Sequence, residues 1–109
     1  MIGSLKEEVL LAVASRGPDV LSAQVFEAIN AAREGERGKG RSFAAVFTTL
    51  KRLRDDEMLN TSKSKTLHKG KPMVAYTINA KGQRALNEAQ AVRSRLQKTP
   101  LPTGGLVSG

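Results

Sequence analysis

The 109-residue chain has no cysteine and no tryptophan, only one histidine and one tyrosine, and few phenylalanines and prolines. Without cysteine there are no disulfides, no thiolate metal sites and no thiol nucleophiles. The single His68 removes histidine-based metal clusters. No nucleophile beside a base, no phosphate loop and no metal-ligand spacing is present, so neither an enzyme nor a cofactor is expected. No apolar run approaches the ~20 residues of a membrane span. The start, Met1-Ile2-Gly3-Ser4, lacks the charged and apolar segments of a secretory signal. A soluble, cytoplasmic protein is expected, with one compact domain because the length cannot supply two separate cores.

Acid is scarce as well, and unevenly so. Eighteen Lys and Arg against ten Asp and Glu give a net charge of +8, with a pI near 10.3. Residues 1–40 carry five basic and six acidic side chains, residues 41–98 thirteen and four, and residues 99–109 none. A basic excess confined to the second half points to a polyanionic partner, most commonly nucleic acid, and stands against the plainer reading of a solvated charged face.

Hydrophobic periodicity divides the chain into four helices and a hairpin. Ser4 and Glu7 read as a capping box opening a first helix that carries Val9, Leu10, Leu11 and Val13 and is stopped by Gly17-Pro18. Its apolar face is wide enough for two neighbours. Val20 and Leu21 fit a short strand, and a second helix from Ser22 aligns Val25, Ile29 and Ala32, with Phe26 beside them. Residues 34–41 hold three Gly and five charges and read as a flexible surface loop. Ser42 then caps a third helix whose core stripe is Val46, Leu50 and Leu53, with Phe43 and Phe47 adjacent. Its outer positions include Ala45, Thr48, Thr49, Lys51, Arg52 and Arg54. Asp55 or Asp56 is placed to pair with Arg52 one turn back. Phe26, Phe43, Phe47 and Tyr76 fit core packing better than a platform for stacking bases.

Met58 to Thr66 reads as a polar, basic strand, Leu67 to Pro72 as a turn, and Met73 to Ile78 as a strand with Val74, Tyr76 and Ile78 on one face. Between Thr61 and Pro72 there are four lysines and no acid. Asn79 caps a last helix from Ala80 to about Lys98, ~28 Å long. Ala85, Ala89, Val92 and Leu96 recur along it at spacings of 4, 3 and 4, a helix-pairing seam flanked by Leu86. Thr99 to Gly109, with two Pro, three Gly and no charge, reads as a disordered tail.

The expected fold is mainly α with a small β-hairpin. It is a winged helix-turn-helix over residues 1–78, followed by a C-terminal dimerisation helix at 79–98 and the tail at 99–109. Gly3-Ser4-Leu5 with Val9-Leu10-Leu11-Ala12, the run Ala45-Val46-Phe47-Thr48-Thr49-Leu50-Lys51-Arg52-Leu53, and Gly70-Lys71-Pro72 with Tyr76-Thr77-Ile78 and Gly82 resemble the successive signatures of the PadR family of transcriptional regulators. The resemblance spans residues 3 to about 90. It implies a dimeric DNA-binding repressor that pairs through its C-terminal helix, often with a small-molecule inducer, although neither an effector nor the sign of regulation is specified. This chain departs from the pattern in having Phe47 where the family has Tyr, Glu57 where it has Gly, and Leu21-Ser22 where it has Tyr-Gly. A phosphate contact from a hydroxyl is therefore missing at Phe47.

The expected function is a sequence-specific regulator reading an inverted repeat in double-stranded DNA, nucleoid-associated when bound. The alternative is a winged-helix module for protein interaction or assembly. Arg41, Ser42, Ala45, Thr48, Thr49 and Arg52 are the candidate contacts of the third helix, and Lys63, Lys65, Lys69 and Lys71 those of the wing. Leu5 and Val9, with Ala85, Leu86, Ala89, Val92 and Leu96, are the candidate dimer surface. His68 reads as a solvated turn residue.

Overall fold

A computed structural model describes residues 2–34 and 40–98. Its elements are α1 (Ser4–Arg16), β1 (Val20–Leu21), α2 (Ser22–Ala32), α3 (Phe43–Asp55), β2 (Leu59–His68), β3 (Lys71–Ile78) and α4 (Ala80–Lys98). The strands form one antiparallel sheet in the order β1-β3-β2. Most of the loop expected at 34–41 and all of the tail expected at 99–109 lie outside the described residues.

α1 is the axle of the fold, in contact with α2, α3, α4 and β3. Neighbours on several sides explain its wide apolar face: Val9, Leu10, Ala12 and Val13 are all buried, and only Leu11 is half exposed. They meet Val25 and Ile29 of α2, Val46, Leu50 and Leu53 of α3, and Leu59, Tyr76 and Leu86 in one core. Each fully buried side chain of this size contributes roughly 1.5–3 kcal/mol relative to exposure.

The Ser4–Glu7 capping box does not form. α1 begins after an extended Gly3, with no side chain capping it. Glu7 is buried against α4 instead, where its Oε1 accepts a hydrogen bond from Arg93 Nη2 at 2.6 Å. A charge-assisted bond of this kind outweighs a solvent-exposed cap.

The other helix starts follow their caps. Leu21 N–H donates to Gln24 Oε1 at 2.8 Å ahead of α2, Ser42 Oγ accepts from Ala45 N–H at 3.1 Å at the start of α3, and Asn79 Oδ1 accepts from Gly82 N–H at 2.9 Å at the start of α4. The first turn of α4 presses so closely on the preceding chain that a Cβ at Gly82 would collide with the Met58 carbonyl.

α3 ends in a Schellman motif. Glu57 N–H donates to Arg54 O and Met58 N–H to Leu53 O, both at 2.9 Å, with Glu57 at φ 63°. No glycine stands at this position, yet the helix closes in the way a glycine would close it.

The hairpin turn is tighter than the expected Leu67–Pro72. Only Lys69 and Gly70 lie outside the strands, with φ 53° and 80°, the two positive values of a type I′ turn. Pro72 fits within β3 because β1 pairs only with Ala75 and Tyr76, so the strand has a single neighbour, β2, at that point. In β2 the three residues Ser64, Lys65 and Thr66 oppose the single Met73, a bulge braced by Thr66 N–H donating to Ser64 Oγ at 3.0 Å. Val74, expected beside Tyr76 on a covered face, is half exposed because it stands out on the wing beyond the helices.

The α4 seam is divided. Leu86 and Ala89 are buried within the protomer, Ala85 packs against the same core, Val92 is half-buried and Leu96 is exposed. Val9, Leu86 and Ala89 are therefore consumed inside the chain and are not a surface for a second copy. An apolar stripe records that it is covered, and here α1 of the same chain covers most of it.

Candidate nucleic-acid interface

α3 buries Val46, Thr49, Leu50 and Leu53, and successive residues of a helix turn by about 100°. The side opposite that stripe is therefore centred on Ala44, Thr48, Lys51 and Asp55, all exposed, with Ala45 and Arg52 on one flank and Phe43 and Phe47 on the other. Thr48 and Arg52 stand where sequence reasoning placed them. Arg52 takes part in no ion pair among the described residues, because the expected pairing with Asp55 or Asp56 does not form: Asp55 binds Arg54 at 3.0 Å, and Asp56 binds Lys6 of α1 at 3.3 Å. The α3 cation best placed for a long reach is left available.

Thr49 is a correction. It is buried, and its Oγ1 donates to Ala45 O at 2.8 Å one turn back, so it reaches no partner outside the chain. Satisfying the hydroxyl on the helix itself is what lets a threonine sit on the apolar stripe. Ala45, half-buried, accepts that bond on its carbonyl.

The N-terminal approach to α3 is braced rather than open. Asn30 of α2 clamps the Arg41 backbone from both sides: its Nδ2 donates to Arg41 O at 3.1 Å, and its Oδ1 accepts from Arg41 N–H at 2.7 Å. The Arg41 guanidinium donates to Glu8 Oε2 at 2.6 Å and to Ser4 Oγ at 3.3 Å, and the Glu8 bond holds its pKa above the ordinary arginine value against the opposing effect of burial. Glu8 also accepts from Arg33, the residue that follows α2, at 3.2 Å. Arg41 thus ties α1, α2 and α3 together at this end, and Ser42 is occupied as the helix cap.

Lys63, Lys65, Lys69 and Lys71 are all exposed on the wing, and none is in an ion pair among the described residues. His68 lies at the end of β2, beside the turn. The described carboxylates that pair with cations do so on α1 and at the C-terminal end of α3, away from the wing strands. Asp19 reaches the base of the wing, where its Oδ1 accepts from Ser62 Oγ at 3.1 Å, and beyond it the lysines give the wing a positive field.

Lys51, read from the sequence as an outer position, was not among the candidate contacts, although it falls one turn after Thr48 on the same side. Phe43 and Phe47 were assigned to the core but are 45% and 39% exposed, and only Tyr76 of the aromatic set is buried. Burial pushes the Tyr76 phenol above its ordinary pKa, opposed by the nearby charge of Arg54. Between α3 and the wing lies a groove of about 330 Å³ lined by Phe47, Tyr76, Ser22, Pro72, Met73 and Val74, with His68 and Lys71 along its wing side.

No family model and no curated protein matches the chain. Solved structures do. A PadR-like transcription factor from Bacteroides fragilis superposes with a TM-score of 0.70 at 19% identity, covering 86% of this chain and 84% of the other. A PadR family transcription regulator from Clostridium difficile gives 0.66 at 14% identity, covering 88% and 93%. BpsR from Bordetella bronchiseptica, whose DNA binding is regulated by 6-hydroxynicotinic acid, gives 0.68 at 19% identity, covering 98% and 65%. Four helices with a small antiparallel sheet thus form a winged helix-turn-helix. The chain has, more particularly, the fold of PadR-like transcription regulators.

Proposed function

We propose that this chain is a transcription regulator that binds double-stranded DNA, reading sequence with α3 and holding the backbone with its wing. The observation that carries the reading is the shared exposure of Thr48, Lys51 and Arg52 on one helix face and of four unpaired lysines on the wing. Small Ala44 and Ala45 let the start of α3 sink into the ~12 Å major groove, so that Thr48, Lys51 and Arg52 reach base edges or bordering phosphates. Lys63, Lys65, Lys69 and Lys71 add affinity without sequence information. The DNA binding of BpsR, on the same fold, supports the assignment.

The regulator acts as a homodimeric repressor in the cytoplasm, joined to the nucleoid when bound, and it binds rather than catalyses. What remains of the candidate surface for pairing is Val92 and Leu96 of α4 and the half-buried Leu5 of α1; Val92 and Leu96 line a groove with Ile2, just before α1, and with Ser4 and Glu7 of α1. Two-fold symmetry then sets an inverted repeat with half-site centres ~34 Å apart.

Selection of bound duplexes from a random pool tests the reading. An enriched inverted repeat is expected. Replacing Thr48 and Arg52 by Ala costs ~1–3 kcal/mol for each base contact on that operator, and less on random DNA. A pool that returns unenriched overturns it.

A further inference from the structure

The three phenylalanines of the chain stand in one row that starts at the half-buried Phe26, packed against the core, and runs out to the exposed Phe43 and Phe47. Phe26 of α2 meets Phe43 edge to face at 5.5 Å between centroids. Phe43 stacks on Phe47 at 6.0 Å with 9° between the planes, and Lys51 Nζ stands 5.3 Å from the centre of the Phe47 ring. Phe43, Phe47 and Lys51 are successive i, i+4 positions, so each lies above the last along the helix. The Phe47 ring thus has an aromatic one turn before it and an ammonium one turn after it, and it is 39% exposed between them.

Phe47 lines the groove between α3 and the wing. Pro72, Met73 and Val74 supply apolar wall with Phe47, Lys71 lines the wing side, Lys51 stands beside the Phe47 ring, and no acid is among the described residues that line the groove. An occupant that satisfies this surface has an apolar group at its centre and negative charge along its margins. Duplex DNA meets both demands in the major groove, where the thymine C5-methyl is the apolar group on the base edges and phosphates border it. A ring already in contact with a second aromatic and an ammonium has less free face for stacking an unpaired base, whereas a methyl group needs only van der Waals contact.

We propose that Phe47, held in place by Phe43, reads thymine by contact with its 5-methyl group, and that the two phenylalanines are specificity-determining residues of the interface. The inference rests on the DNA-binding reading above and deepens it. It gives the phenyl ring at position 47 a contact of its own, to base methyl.

The test uses the operator recovered from the random pool. Its thymines are replaced one at a time by deoxyuridine, which keeps the base pair and removes only the methyl. The unaltered protein is expected to lose about fourfold in affinity at one or more positions in each half-site, the effect of one buried methyl. Phe47→Ala is expected to bind thymine and uracil duplexes equally, and Phe47→Leu to keep part of the discrimination. The uracil series on the unaltered protein needs no variant, so the test stands even if Phe47→Ala fails to fold. Tight operator binding with indifference to uracil at every position overturns the inference alone, and reassigns the row to a protein contact if Phe47→Ala also leaves DNA affinity unchanged. Failure to recover any duplex overturns the DNA-binding reading and the inference together.

Discussion

Glu57→Gly should stabilise the protein. Glu57 is the residue that turns the chain out of α3, at φ 63°, with its own N–H and that of Met58 closing the helix on Arg54 O and Leu53 O. A side chain in the left-handed region costs about 1–2 kcal/mol, because Cβ crowds the following carbonyl. Glycine removes that cost and loses about 0.5–1 kcal/mol through the greater freedom of its unfolded chain. The net gain is about 0–1.5 kcal/mol, and its mid-range value of about 0.75 kcal/mol is a Tm rise of roughly 3–6 °C for a domain of this size. Glu57 is exposed and forms no ion pair among the described residues, so removing its side chain breaks no ion pair that would offset the gain. Thermal unfolding followed by far-ultraviolet circular dichroism reads the change. Glu57→Ala is the control: it removes the same charge but keeps a Cβ, and should fall well short of the glycine variant. Equal effects of Ala and Gly, or a loss with Gly, would refute the conformational argument.

Two further outcomes follow from the packing. Val92→Asp places a charge on the remaining apolar edge of α4 and should give a monomer in sedimentation with helix content kept, since an unpartnered charge is costly at an interface; an unchanged dimer removes Val92 from the pairing surface. Tyr76 is the only tyrosine and no tryptophan is present, so tyrosinate absorbance reports it alone. Its burial raises the folded-state pKa above the ordinary value near 10. The folded state then holds the proton more tightly than the unfolded chain, so this contribution to stability is complete below pH ~10 and falls as pH rises through the folded pKa. The absorbance midpoint should lie above that of the protein in urea, and coincident midpoints would show that the phenol is not buried.

Periodicity carried most of the architecture, and its errors have local causes. Ser22, Ser42 and Asn79 open their helices at the expected places, and Val25 and Ile29 of α2 and the whole stripe of α3 lie on the core, while Ala32, expected on the α2 stripe, is exposed at the end of its helix. Thr49 went astray because polarity argued for the surface, while its hydroxyl had a carbonyl within reach on its own helix. Phe43 and Phe47 went astray for the opposite reason: hydrophobicity argued for the core, but their angular position puts them on its margin. Ser4 and Glu7 have the spacing of a capping box, and Arg93, 86 residues further along the chain, outcompetes it in a way no local window reveals. The wing lysines were legible because exposed charge needs no partner within the chain. The Arg41–Glu8–Arg33 network was not, since it joins three helices.

The central claim is that the wing and α3 hold duplex DNA, and the salt dependence of binding tests it most directly. Fluorescence anisotropy of a labelled duplex, titrated at a series of salt concentrations, should give a log affinity that falls linearly with log salt. Replacing Lys63, Lys65, Lys69 and Lys71 by Gln should flatten that line by up to ~0.9 for each phosphate that a lysine no longer neutralises, or up to ~3.6 per wing. Affinity indifferent to salt, or a slope unchanged by the four substitutions, would contradict the account.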